Sequence, residues 1–556
     1  MVTRSQTLRL AYFSAILICS MPLLIGLIGT LAPAFSWLPI LDLHQPSLAS
    51  WRHLFHEPVL WRSISLTIFI TLCSTALTLL FSFTLLMRFY NSKYWSWITG
   101  TLSPIFALPH VAFAIGFTFL LSPSGWIFRL LHPIFNISQA HAWILVNDTH
   151  GLGMSLALAI KETPFLLLMS IAPLQQLNIN QLLTVGTSLG YQPKQVWYKI
   201  IMPLWLSYLR LPIAAIIGYS LSVVDFSLIL APLRPAPFAV QIWQWIKEPN
   251  LAMLPVAAAA SLLLLVLALI ILGGLRYTEY LLMKKCNTWQ FNGQRQSGYW
   301  GKLISTITPL FYGVMILLPL LSVFMLALWS FSFRWRFPDI LPQSWTLKFW
   351  MSQWENLHSL FATSMSIALL STFISLLFSI ICLEYKQKNH KGLPLIFLVI
   401  PLVVPQVGLL FGVQIITLYF PYLDPFSTVV WGHILFVFPY VYLSLAPAWQ
   451  AFDQRYLQVA TSLGTPPLKA WFLVKLPLLK NGLIFAIIVG MGVSLTQYLP
   501  TLILGSGRIA TITTEAVAIT SGQDRRIMAI YGLMQALLPF ILILSSFHYS
   551  QRVHKR

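Results

Sequence analysis

The sequence predicts an all-α polytopic membrane protein of about twelve transmembrane helices, arranged as two tandem six-helix halves. Three observations carry that prediction: composition, the spacing of apolar runs, and an internal duplication. Of 556 residues 57% are hydrophobic and only 9% charged, with a mean hydropathy of +0.77. Soluble domains carry about 25% charged residues, so an ordinary soluble fold is excluded.

A helix needs roughly 20 apolar residues to cross a bilayer. Runs of that kind, bounded by polar residues or Pro/Gly punctuation, fall in the first half at about 9–35, 61–87, 96–121, 152–175, 207–231 and 251–274. The second half gives about 303–332, 359–383, 393–420, 429–450, 481–504 and 527–548. Arg4 and Arg9 precede the first run as in a signal peptide, but the run is longer than a normal signal core and has no small-residue cleavage site, so it is expected to remain as a helix. Residues 1–274 form the expected first half, 275–302 a polar linker with Lys284-Lys285, and 303–556 the second half. Prolines inside spans, such as Pro109, Pro164, Pro405 and Pro439, are expected to kink helices.

The net charge of +20 would suggest nucleic-acid binding in a soluble chain. Its distribution points elsewhere. With both termini in the cytoplasm, the cytoplasmic segments hold 21 basic and three acidic residues, whereas the opposite face holds 11 basic and nine acidic ones. Lys161, Glu162, Arg210 and Asp225 fall in or beside spans and cancel. The asymmetry follows the positive-inside bias, so the charge serves orientation and no nucleic-acid partner is expected. Cys19, Cys73 and Cys382 lie in apolar segments and Cys286 in the linker, without a spacing that suggests disulfides or metal ligation.

The chain contains itself twice. Ser74-Thr75 and Leu79-Leu80-Phe81-Ser82 recur as Ser371-Thr372 and Leu376-Leu377-Phe378-Ser379, and Pro109, Val111 and Gly116 as Pro405, Val407 and Gly412. The offset drops from 297 to 274 beyond the extra residues of the 122–151 loop. Matching elements keep one order, so both halves share one orientation. In the cytoplasmic loop between the fourth and fifth spans, Thr187-Ser188-Leu189-Gly190, Pro193, Trp197 and Pro203-Leu204 recur as Thr461-Ser462-Leu463-Gly464, Pro467, Trp471 and Pro477-Leu478. Loops normally lose identity faster than spans, which makes this the most informative match. Gly190 suits a left-handed helix end and Pro193 the first turn of the next helix, so each loop is expected to run helix, tight turn, helix along the membrane surface.

This pattern resembles the EAA loop of ABC-importer permeases, in which a Gly precedes a Pro by thirteen residues, as Gly190 does Pro203 and Gly464 does Pro477. The resemblance covers essentially the whole chain, as two fused type I importer halves of the iron(III) and thiamine kind. The stretch Ser494, Tyr498-Leu499-Pro500-Thr501, Gly505-Ser506-Gly507-Arg508 and Thr513-Thr514-Glu515-Ala516 resembles the YnjC-like permeases. The naming Glu-Ala-Ala stands here as Thr184-Val185-Gly186 and Gln458-Val459-Ala460, so the motif's acidic residue is absent twice. The resemblance implies a subunit of a bacterial inner-membrane importer that works by alternating access. It also implies two copies of a cytoplasmic ABC ATPase docked on the two loops and a periplasmic binding protein that delivers a small solute.

No GxxxxGK[ST] phosphate loop, HExxH, Cys/His cluster or GxSxG elbow is present, so no catalytic residue, metal site or cofactor is expected in this chain and ATP is expected on a partner subunit. Lys194, Lys199, Lys469 and Lys475 are candidates for meeting acidic groups on that ATPase. Within the membrane, Lys161, Glu162, Asp225, Gln497 and Tyr498 are the candidates for the translocation path, because polarity there is costly and functional by default. The second half's counterpart of Lys161-Glu162 is the uncharged Phe436-Val437-Phe438. A secondary transporter of the 6 + 6 class is the alternative, although Arg88 to Trp95 lacks that class's Gly-x-x-x-Asp-Arg signature.

Overall fold

The computed structural model describes residues 2–135, 145–290, 292–293, 299–390, 392–522 and 524–554. Of the expected features, part of the 122–151 loop, part of the linker and the basic residues Arg295, Lys391, Lys555 and Arg556 lie outside the described residues. Among the described residues the chain is helical apart from short connections and one short hairpin, Ser332–Arg334 against Ser344–Trp345. Among the same residues nine helices are long and apolar enough to cross a membrane, and eleven spans result if two sharply bent pairs each count as one. The chain is a multi-pass membrane protein.

Several boundaries differ from the sequence reading, for physical reasons. The expected third and ninth spans are each broken in two, as Trp95–Ala107 with His110–Leu121 and Ile396–Val403 with Gln406–Thr417. Pro109 and Pro405, lacking an N–H, stand at the N-caps of the second pieces and end the preceding turn rather than kinking it. Pro164 and Pro439 lie inside the unbroken helices Leu152–Gln176 and Pro425–Gln450. The fifth and eleventh spans break after Ser222 and Thr496, and short helices Asp225–Leu230 and Leu499–Leu504 follow. Residues of the expected 275–302 linker take part in both flanking helices. Met253–Gln290 continues as one helix through most of that segment, and the next helix, Tyr299–Phe331, already begins inside it.

The first helix of each half packs against the other half. Val2–Ala34 lies along Gln406–Thr417, and Tyr299–Phe331 lies along His110–Leu121. Small residues make this possible. A Cβ on Gly412 would stand 1.8 Å from the Gly26 carbonyl oxygen, and one on Gly116 would stand 2.5 Å from the Ser322 Cβ. Thr30 adds a hydrogen bond across the first contact, its hydroxyl donating to the Gly408 carbonyl at 2.7 Å. Close backbone approach through Gly, Ser and Thr is the usual way to hold helices together in lipid, where apolar burial supplies little drive. Arg129, 3% exposed, donates to the Arg336 and Asp339 carbonyls at 2.8 and 2.7 Å and fixes the hairpin region of the second half to the helix Trp126–Phe135.

Candidate functional site

Each of the two repeated loops is built as helix, glycine turn, helix. Ile179–Ser188 and Arg455–Ser462 end at Gly190 and Gly464, both with φ +83°, and Pro193 and Pro467 open the next helices. The Tyr191 N–H donates to the Gly186 carbonyl at 3.0 Å and the Thr465 N–H to the Ala460 carbonyl at 3.1 Å, which satisfies carbonyls that a helix end leaves open. A wider turn follows in both, Trp197–Ile201 and Trp471–Lys475, with Pro203 and Pro477 just beyond. The chain then bends by 66° and 71° into the fifth and eleventh spans. Thr187, Ser188, Thr461 and Ser462 are exposed on the loop helices. Val185 with Leu189, and Val459 with Leu463, are exposed apolar pairs one helical turn apart at matching positions.

The basic residues of the loops are placed differently from the sequence expectation. Lys475 is fully buried and bonded to Glu384 and Gln387 of this chain, and Lys199 is 4% exposed with its amine on Asn292 at 2.8 Å. Neither amine faces outward. Lys469 is exposed on its loop and Lys194 is half-buried on the other.

In the membrane, the helix breaks of the first half bring polar groups together. The Glu162 carboxylate lies 3.1 Å from Nε2 of His110, the first residue of the helix that opens after Pro109. The His110 ring lies 4.8 Å from that of Tyr219, and Asp225, which opens the helix after the next break, is within electrostatic range of His110. Tyr440 and Tyr498 of the second half lie within range of Glu162 and Asp225 respectively. Glu162, Asp225 and Tyr498 are thus brought to one region. Both polar atoms of the neighbouring Gln497 side chain are buried without a hydrogen-bond partner among the described residues.

Lys161 belongs instead to the scaffold of the break. Its amine donates to the Ile105 and Phe106 carbonyls at 2.9 and 3.1 Å, last-turn groups that the helix ending at Ala107 cannot bond itself. Lys161→Met is expected to lower stability by about 1–3 kcal/mol, since it orphans buried carbonyls. Thermal unfolding in detergent, followed by loss of the monodisperse peak, checks this.

Sequence reasoning missed His110, Tyr219, Tyr440 and His433. His433 is buried and bridges the two sides of the eleventh-span break, with Nδ1 2.9 Å from the Ser494 hydroxyl and Nε2 2.9 Å from that of Thr501. The available signal was a histidine inside an apolar run, which is rarely placed there without a partner.

No family model matches the chain. It is similar to the inner membrane ABC transporter permease protein YnjC of Escherichia coli, with 32% identity over 498 residues that span 89% of each chain. The chain belongs to the ABC transporter permeases. This permease is also similar, at 30% identity over 97 residues, to the spermidine/putrescine transport system permease protein PotC homolog of Mycoplasma genitalium, covering 17% of this chain and 34% of that relative. The secondary-transporter alternative falls with that membership. In the permease the two Gly–Pro loops and the polar region at the breaks are the features that differ most from a plain helical bundle.

Proposed function

We propose that the permease is the membrane subunit of an importer in the bacterial inner membrane, built of two tandem halves, 1–274 and 303–556, with both termini cytoplasmic. A periplasmic binding protein delivers a small solute to the region of Glu162, Asp225, Gln497 and Tyr498, and two copies of a cytoplasmic ATPase bind and hydrolyse ATP. The observation that carries this reading is the pair of loops with the same φ at Gly190 and Gly464 and the same exposed apolar pair. Exposed apolar groups repeated on two rigid turns suit docking of two identical partners. ATPase closure moves the loops, and the halves rock between inward- and outward-open states.

Leu189→Asp/Leu463→Asp places charge on both docking turns without touching the spans. Co-purification of the ATPase subunit is expected to fall about tenfold or more, equivalent to at least roughly 1.4 kcal/mol. Unchanged co-purification would sink the docking assignment. Gly190→Val/Gly464→Val should act in the same direction through backbone strain, because a Cβ at Gly464 meets nothing within 4 Å.

A further inference from the structure

The two loops are held to the membrane helices by different chemistry. In the second half, Glu384 near the cytoplasmic end of Lys348–Asn389 accepts from Lys475 and, at 2.6 Å, from the Trp471 indole. Lys475 also donates to Gln387 at 2.7 Å and lies 4.5 Å from the centre of the Trp449 ring. One carboxylate therefore gathers both ends of the wide turn Trp471–Lys475. In the first half the repeat offsets put Ile201 in place of Lys475, Met87 in place of Glu384 and Tyr90 in place of Gln387. Trp197 there packs edge-on against Phe83 and Tyr90, each at 6.1 Å, within an apolar cluster.

The first half folds the same wide turn with Ile201 and Met87 at the places of Lys475 and Glu384. Its polar ties, Lys199 to Asn292 at 2.8 Å and Gln290 to the Lys199 carbonyl at 2.9 Å, run to the end of Met253–Gln290 and not to Leu60–Phe89, so the turn alone does not call for a pair at those two places. An apolar contact tolerates sliding, whereas a desolvated pair resists separation because each charge would be left uncompensated. The helix Lys348–Asn389 runs unbroken from Glu384 to Ser371, whose hydroxyl donates to that of Ser494 at 3.1 Å. Ser494 in turn meets His433 beside the break at Gln497.

We propose that Lys475 and Glu384 are positioning residues that make the second loop and the helix Lys348–Asn389 move as one body, so that ATPase-driven displacement reaches the eleventh-span break through the second half more rigidly than through the first. The proposal rests on the docking role of the loops.

The test uses the full chain with its ATPase subunits in lipid nanodiscs. Spin labels are introduced through a non-canonical amino acid at Trp61 and Met351, exposed residues on Leu60–Phe89 and Lys348–Asn389, which leaves the native Cys382 in place. The distance between labels is measured with and without trapping by ATP and vanadate. Lys475→Ile/Glu384→Met transplants the first half's residues and removes both charges together. We expect it to keep ATPase co-purification and vanadate trapping while the ATP-dependent shift falls by about half or more, and Lys475→Arg to keep the full shift. A full shift in the double variant would overturn the proposal, as would a loss equally large in Lys475→Arg. If instead the Leu189→Asp/Leu463→Asp chain still binds the ATPase, the docking reading itself has failed.

Discussion

Gly412→Ala is expected to destabilise the folded permease severely, although it adds one methyl group. The new Cβ would stand 1.8 Å from the Gly26 carbonyl oxygen and 2.4 Å from the Thr30 hydroxyl, and both belong to a helix that cannot retreat without losing its seat on the other half. Ordinary overpacking costs about 1–3 kcal/mol because side chains can move aside. A backbone carbonyl cannot, so the loss is expected to exceed about 3 kcal/mol, a large share of the roughly 5–15 kcal/mol that separates folded from unfolded chains. Gly492→Ala is the matched control, since a Cβ there meets nothing within 4 Å. Heating both variants in detergent and following the monodisperse fraction by size exclusion checks the prediction. Equal unfolding temperatures for the two would refute it.

Glu384→Ala is expected to cost about 3–5 kcal/mol, because it leaves the fully buried Lys475 without its carboxylate. Lys475→Ile/Glu384→Met should be close to neutral on the same assay, as replacement of a buried pair by apolar residues often is. The strong non-additivity of that cycle is the measurement that separates a desolvated pair from a surface one. Additive, small effects in Lys475→Ile, Glu384→Met and their combination would show that Lys475 reaches water.

The loops were legible in the sequence because their geometry depends on residue types with unusual backbone demands. Gly190, Pro193 and their copies each permit a conformation that few other residues adopt, and two copies at one spacing remove coincidence. The breaks after Ser222 and Thr496 were not legible as breaks, since apolar sequence resumes within a few residues of each; Pro500 opens the helix after the second break, but no proline accompanies the first. Lys161 was readable as costly in the membrane but not as the partner of the Ile105 and Phe106 carbonyls, because a lysine carries no local sign of where its amine goes. The burial of Lys475 was hidden for a related reason. Its partner Glu384 lies 91 residues away and has no charged counterpart in the first half.

The exchange of first helices has a consequence for biosynthesis. Thr30 and its partner Gly408 are 378 residues apart in the chain. At roughly 5–20 residues per second, about 20–75 s pass between the emergence of one and the other from the ribosome. During that interval the Gly26, Gly29 and Thr30 stripe has no partner of its own and must wait in lipid or beside an insertion factor.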